Sequence, residues 1–237
     1  MAASHVDPDE QDQLAHLRSI LHFAWEQAIV QQPQLLVAHW YELGPYPEIL
    51  EHSTQPGWFA AAADELHPEE LVLATTLATL VIPRGGRVIS EELVHTVAEP
   101  PEYEFSDTVR VTTDRDLAAQ LMAQTPSDDA TEVNLAELDQ LFVLTDAEAN
   151  PLALAGWRVF QQVIADVRVL VPPKLRNRSL GAYAAAVALS EVYDTGLVPQ
   201  ARVRVGNAPA LQLCTKLGFR LLGTVSVADP GCPNGLP

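Results

Sequence analysis

Lys174, Arg176 and Arg178 fall within five residues of one another in LVPPKLRNRSLGAYAAAVALSEVYDTG (residues 170–196), between an apolar run and an alanine-rich segment. Positive charge at a strand-to-helix turn suits the binding of a phosphate or another small anion. Backbone N–H groups that open a helix have no partner inside it and point outward. Together with the helix dipole they form an anion site, and successive N–H groups in the turn before the helix add a concave nest. Arg176 and Arg178 at the rim add charge and forked donors. Gly181 has no Cβ and lets the backbone approach a ligand closely. Pro172 and Pro173 end the strand and stiffen the entry. Neither common nucleotide loop, G-x-x-x-x-G-K-S/T or G-x-G-x-x-G, occurs in the chain.

Asp166 is the other residue whose position invites chemistry. It stands among apolar neighbours five residues before Val171, and a partly desolvated carboxylate there has its pKa raised toward the range of a general base. Two readings stay open for it, proton acceptor or partner of Arg168, because residues 166, 168 and 170 share one face of a strand. Cys214 has no histidine near it in sequence and reads as a small apolar residue on a helix face with Ala210, Leu211 and Leu217. All seven histidines, from His5 to His95, lie in the first hundred residues. With only Cys214 and Cys232, neither a disulfide framework nor a zinc cluster is expected, and no metal is assigned.

The elements that must position these residues become legible after the proline- and acid-rich EPPEYE run (residues 99–104). Thr108–Val111, Phe142–Thr145, Leu152–Phe160 and Val163–Val171 read as strands, with a helix through Ala123 capped by Thr113 and Asp116. The turn then leads into a helix ending at Gly196, a strand at 201–205, a helix from Asn207 to Gly218 and a last strand at 219–227. Earlier, Asp7 and Pro8 start a helix running to Pro33, and a second helix is expected near 68–79, leading into a strand or turn at Gly85–Gly86. The rest of 34–101 reads as irregular. The tail 229–237 reads as loop.

This order of motifs resembles the GNAT superfamily of acyl-CoA-dependent N-acyltransferases, whose acyl-CoA loop typically reads V-x-P-x-x-R-G-x-G-x-G between a strand and a helix. Val171, Pro173, Arg176, Arg178 and Gly181 match, with Asn177 and Ser179 at two glycine places. Downstream, NAPALQLCTKLGF supplies Asn207, Ala210, Leu213, Lys216, Leu217, Gly218 and Phe219 of the family's second motif, with Cys214 where many members have a tyrosine. The resemblance covers roughly residues 105–228. It implies a mixed, mostly antiparallel central sheet with a splayed parallel strand pair, flanked by helices. The pantetheine arm would lie along the backbone of Val169, Leu170 and Val171. The phosphates would lie on Arg176, Asn177, Arg178, Ser179, Leu180, Gly181 and Ala182, with Asn207 at the start of the facing helix. The implied activity is transfer of an acetyl group from acetyl-CoA to a primary amine, with a non-catalytic CoA-binding module as the alternative.

Composition sets limits on the partners. Fourteen Lys and Arg face thirty-one Asp and Glu, for a net charge of −17. Residues 1–150 hold five of the bases and twenty-seven of the acids, whereas 151–237 hold nine bases and four acids. Nucleic acid is not expected as a partner of so acidic a body, since binding it rests on neutralising phosphates. A small-molecule amine or a peptide is expected as acceptor. No apolar run approaches the roughly 20 residues that span a bilayer, so no membrane partner is expected and the setting is read as cytoplasmic. The chain divides on this reading into an N-terminal extension (1–104), a GNAT-like domain (105–228) and a tail (229–237). Oligomeric state is left open.

Overall fold

In a computed structural model the described residues are 8–28, 34–40, 48–52, 66, 70–103 and 108–231. The Asp7 cap, the Pro33 break, the start of the helix expected at Pro68, Cys232 and the end of the tail lie outside them. The chain forms two compact units. One comprises residues 1–95, 202–208 and 221–237; the other comprises residues 96–201 and 209–220.

The first unit holds helix α1 (Pro8–Ala28), strands β1 (Gln34–Trp40) and β2 (Glu48–His52), helix α2 (Ala74–Val81) and most of strands β3 (Arg87–Thr96) and β9 (Arg220–Asp229). Its strands run in the order β2-β1-β9-β3, and β1 is antiparallel to both β2 and β9. Val37, Leu71, Val72, Leu77, Val81 and Ala228 form a core. Strands β1 and β2 and much of β3 replace the irregular segment expected from the sequence, whereas Gly85, at φ 77°, makes the expected turn and leads into β3. β3 carries Glu91 and Glu92 in mid-strand, where a period-2 apolar pattern would be expected. Both carboxylates have partners: Arg202 donates to Glu92 at 3.0 Å, and the Ala74 N–H donates to Glu91 at 3.1 Å. The second bond also explains why α2 starts at Ala74. Leu73 precedes it without a capping oxygen, and the orphan N–H is satisfied from the sheet instead.

The second unit contains β4 (Arg110–Thr112), helices α3 (Arg115–Ala123) and α4 (Ser127–Val133), β5 (Gln140–Thr145), β6 (Pro151–Phe160), β7 (Ile164–Leu170), helix α5 (Leu180–Thr195) and helix α6 (Ala208–Lys216), apart from its first residue. Strand β8 (Val198–Arg204) contributes Val198–Ala201 to it. The order is β8-β7-β6-β5-β4. Pairs β4–β5, β5–β6 and β6–β7 are antiparallel, and β7–β8 is parallel. The architecture is thus a mixed, mostly antiparallel sheet with one parallel pair, flanked by helices. Asp114 rather than Thr113 caps α3, its carboxylate accepting from the N–H groups of Asp116 and Leu117. Helix α4, unmarked in the sequence reading, begins after Pro126.

Two faces of this sheet have different tasks. Val143, Leu154 and Leu170 are cross-strand neighbours. They pack with Ala118 and Leu121 of α3 and Val133 of α4. The alternate residues face α5, whose small side chains allow close approach: Ala182, Ala184, Ala185, Ala186 and Ala188 are all buried. Gly196 closes α5 with φ 74°, a left-handed cap that glycine adopts without penalty.

Candidate functional site

Strand β7 is held along its whole length by β6, from Ile164 opposite Phe160 to Leu170 opposite Leu154. On its other side the parallel register covers only Ile164↔Val198, Ala165↔Pro199 and Asp166↔Gln200. Residues 167–170 continue past the last parallel partner and lead to the charged turn. Val169, Leu170 and Val171, along which the GNAT resemblance would put a pantetheine arm, lie at this end of the strand. Leu170 is 3% exposed and belongs to the core beneath that edge.

The turn opens with a single 3-10 turn at Pro173–Leu175. Asn177 then adopts φ 63° and Ser179 φ 59°, both left-handed. The two places where glycine is usual in the acyl-CoA loop thus keep a glycine-like backbone, with Arg178 between them at negative φ. Alternation of this kind turns successive N–H groups toward one side. The first backbone bond of α5 runs from the Tyr183 N–H to the Ser179 carbonyl at 3.0 Å, so the N–H groups of Leu180, Gly181 and Ala182 are the orphans of the helix start. Ser179 makes no side-chain cap to cover them.

The two arginines of the turn differ. Arg176 is spent on the protein: its Nε donates to the Val171 carbonyl at 3.1 Å, and its Nη2 pairs with Asp129 of α4. It braces the turn against the strand it leaves. Lys174 and Arg178 are exposed and make no ion pair among the described residues. Lys216, from the second motif, donates to the Ser179 hydroxyl at 2.8 Å and brings a third positive charge to the nest. Tyr103 stacks on Tyr183 with ring centroids 5.7 Å apart and donates to the Ser179 carbonyl at 3.2 Å. Neither Lys216 nor Tyr103 was singled out from sequence as a site residue. Lys216 carried a signal in the motif, whereas Tyr103 lay in a run read only as a boundary.

Gly181 packs within the unit. A Cβ there would meet Val171 Cγ2 at 3.3 Å, with Leu213 Cδ2 and Val169 Cγ1 at 3.7 Å. Its small size lets α5 sit close to the end of β7 and to α6. Asn207 directly precedes α6, and its N–H donates to the Arg204 carbonyl at 3.0 Å.

Asp166 has no solvent exposure. Arg168 donates to its Oδ2 at 2.7 Å, Arg158 to the same oxygen at 3.4 Å, and Gln200 Nε2 to Oδ1 at 3.4 Å. Of the two readings open for Asp166, the pairing with Arg168 is present. Two guanidinium groups favour the charged carboxylate, which is buried. Cys214 is 6% exposed, and burial pushes its thiol up to about 11, so it stays protonated at neutral pH. Among the described residues no group of three or more His, Cys, Asp or Glu stands ready to hold a metal ion. No helix among them is long and apolar enough to cross a membrane.

No family model and no curated protein matches the chain. Solved structures do. A GCN5-related N-acetyltransferase from Kribbella flavida has 19% identity and a TM-score of 0.52, over 92% of this chain and 96% of that one. A GCN5-related N-acetyltransferase-like protein from Streptococcus suis has 14% identity and a TM-score of 0.51, over 91% and 98%. A Drosophila protein has 14% identity and a TM-score of 0.54, over 97% and 98%. At such identities the likeness concerns the backbone, and its conclusion is one of fold: this chain has the GNAT fold.

Proposed function

We propose that the chain is an acetyl-CoA-dependent N-acetyltransferase that moves the acetyl group directly to a primary amine of a small molecule or peptide, in the cytoplasm. One observation carries the reading. An anion nest, with Asn177 and Ser179 left-handed and the N–H groups of Leu180–Ala182 unpaired within the helix, directly follows the strand whose parallel pairing stops at Asp166. The nest suits a pyrophosphate. The strand edge beyond Asp166 suits an extended arm with amide groups.

Direct transfer forms one C–N bond and breaks one C–S bond, and the amine must arrive neutral. In this reading the backbone of residues 167–171 orients the thioester. Asp166 holds Arg158 and Arg168 in place, and the ammonium proton leaves through water. The Cys214 thiol takes no part, because a CoA thiolate is a stable enough leaving group without an acid.

The test mixes the protein with acetyl-CoA and a panel of primary amines and records free thiol. Thiol release that depends on amine is expected. Binding of acetyl-CoA without release from any amine would leave a CoA-binding module. Failure of CoA to raise the melting temperature would remove the nest as a CoA site.

A further inference from the structure

Arg168 differs from the other cations near β7. It gives one N–H to Asp166 at 2.7 Å. Its Nε and Nη1 have no partner among the described residues, nor are they among the buried atoms lacking one, so they reach solvent. The side chain is nevertheless only 19% exposed, which holds those donors in a partly desolvated setting. Arg158 is committed at both ends, with Nη1 on Glu137 at 2.8 Å and Nη2 on Asp166 at 3.4 Å. Two guanidinium groups thus share one fully buried carboxylate. The second carboxylate, Glu137, has a side chain 51% exposed and is screened by water. Positive charge prevails on the inner side of the network. Asp129 of α4, the helix packed against β7, is already paired with Arg176.

The position matters as much as the charge. Arg168 lies two residues past Asp166, where the parallel pairing ends, and on the strand face it shares with Asp166 and Leu170. Under the function proposed above, the acetyl group is presented at that point of β7. A fork of free N–H donors in a partly dry site is suited to a planar carboxylate.

We infer that the acceptor is an amine that also carries a carboxylate, an amino acid or a similar amino-carboxylate, and that Arg168 recognises its carboxylate. The inference rests on the proposed acetyl transfer and deepens it. Asp166 is the positioning residue, holding one edge of the guanidinium so that the other edge faces the acceptor.

The experiment compares matched acceptors that differ only in the charge of one group: glycine with glycinamide, and 4-aminobutanoate with 4-aminobutanamide. Thiol release from acetyl-CoA is recorded for the wild type, Arg168→Gln and Arg168→Lys. The wild type should favour at least one of the two carboxylates over its amide by tenfold or more in kcat/KM. For glycine the amide is the better supplied with free amine, so nucleophile supply cannot create that preference. Arg168→Gln should erase most of it through KM, while acetyl-CoA affinity and melting temperature report that the protein remains folded. Arg168→Lys keeps a charge for Asp166 and should retain an intermediate preference. A wild type indifferent to the carboxylate in both pairs, or a preference unchanged in Arg168→Gln, would overturn the inference and leave acetyl transfer standing. No binding of acetyl-CoA, or no thiol release with any amine, would overturn both.

Discussion

Asp166 and Cys214 both carry reactive side chains near the candidate site, and both are buried. Asp166→Asn removes the charge that two guanidinium groups share, and breaking a buried pair from one side costs about 3 kcal/mol. A clear fall in melting temperature is therefore expected. The pH–rate profile of the surviving activity should keep its shape; loss of its alkaline-rising limb would return Asp166 to the role of base. Cys214→Ala should leave transfer within about tenfold, equivalent to roughly 1.4 kcal/mol of barrier. The thiol is raised from 9.0 to about 11 by burial. The folded state therefore keeps a proton that the unfolded state loses, and this contribution to stability is present below pH 9 and is lost as pH rises through 11. Thermal melts from pH 8 to 11 should show a shallower decline in Cys214→Ala than in the wild type. Equal slopes would mean that the thiol is not buried as described.

At the scale of one element, the turn between β7 and α5 shows that a backbone shape can outlast the residue type that usually makes it. Ser179 at φ 59° has the strain of a side chain in the left-handed region. Ser179→Gly should be tolerated, with acetyl-CoA affinity kept. Ser179→Val puts a β-branched residue in the same conformation and should cost roughly 1–2 kcal/mol, with weaker binding measured by calorimetry. If both variants bind alike, the left-handed turn is not what holds the ligand. This element was legible because its determinants are local: Pro172 and Pro173 stop the strand, and Gly196 ends the helix. The braces were not legible. Arg176 meets Asp129 across 47 residues, and Asp166 meets Gln200 across 34. No pattern in a short window marks such pairs. The same reason hid how far β3 runs, because its two glutamates look exposed until Arg202 and the start of α2 are in place beside them.

At the scale of the whole molecule, the first unit is built from three separate pieces of chain. Strand β9 lies between β1 and β3 in its strand order, and β1 pairs with it from Leu35↔Ala228 to Trp40↔Gly223. A fragment starting at residue 96 would keep β9 but leave it without both neighbours, exposing apolar residues such as Leu222, Val225 and Val227 that are buried in the full chain. Such a fragment is expected to aggregate or to melt without cooperativity. A sharp melt and a monomeric elution volume from it would show that the second unit stands alone. Composition had separated an acidic first part from a basic second part, but composition follows chain order, and the partnership of β9 with β1 does not.

That partnership has a consequence for how the protein is made. The ribosome releases β1 and β3 long before β9, the strand that belongs between them. At 5–20 residues per second, the nascent N-terminal segment waits on the order of 10 s for its missing neighbour. During that interval β1 offers one strand edge with its hydrogen-bonding groups unfilled, a template for the wrong partner. Nascent chains arrested at residue 200 should therefore have β1 and β3 open to protease. Chains arrested after residue 229 has cleared the exit tunnel should be resistant there.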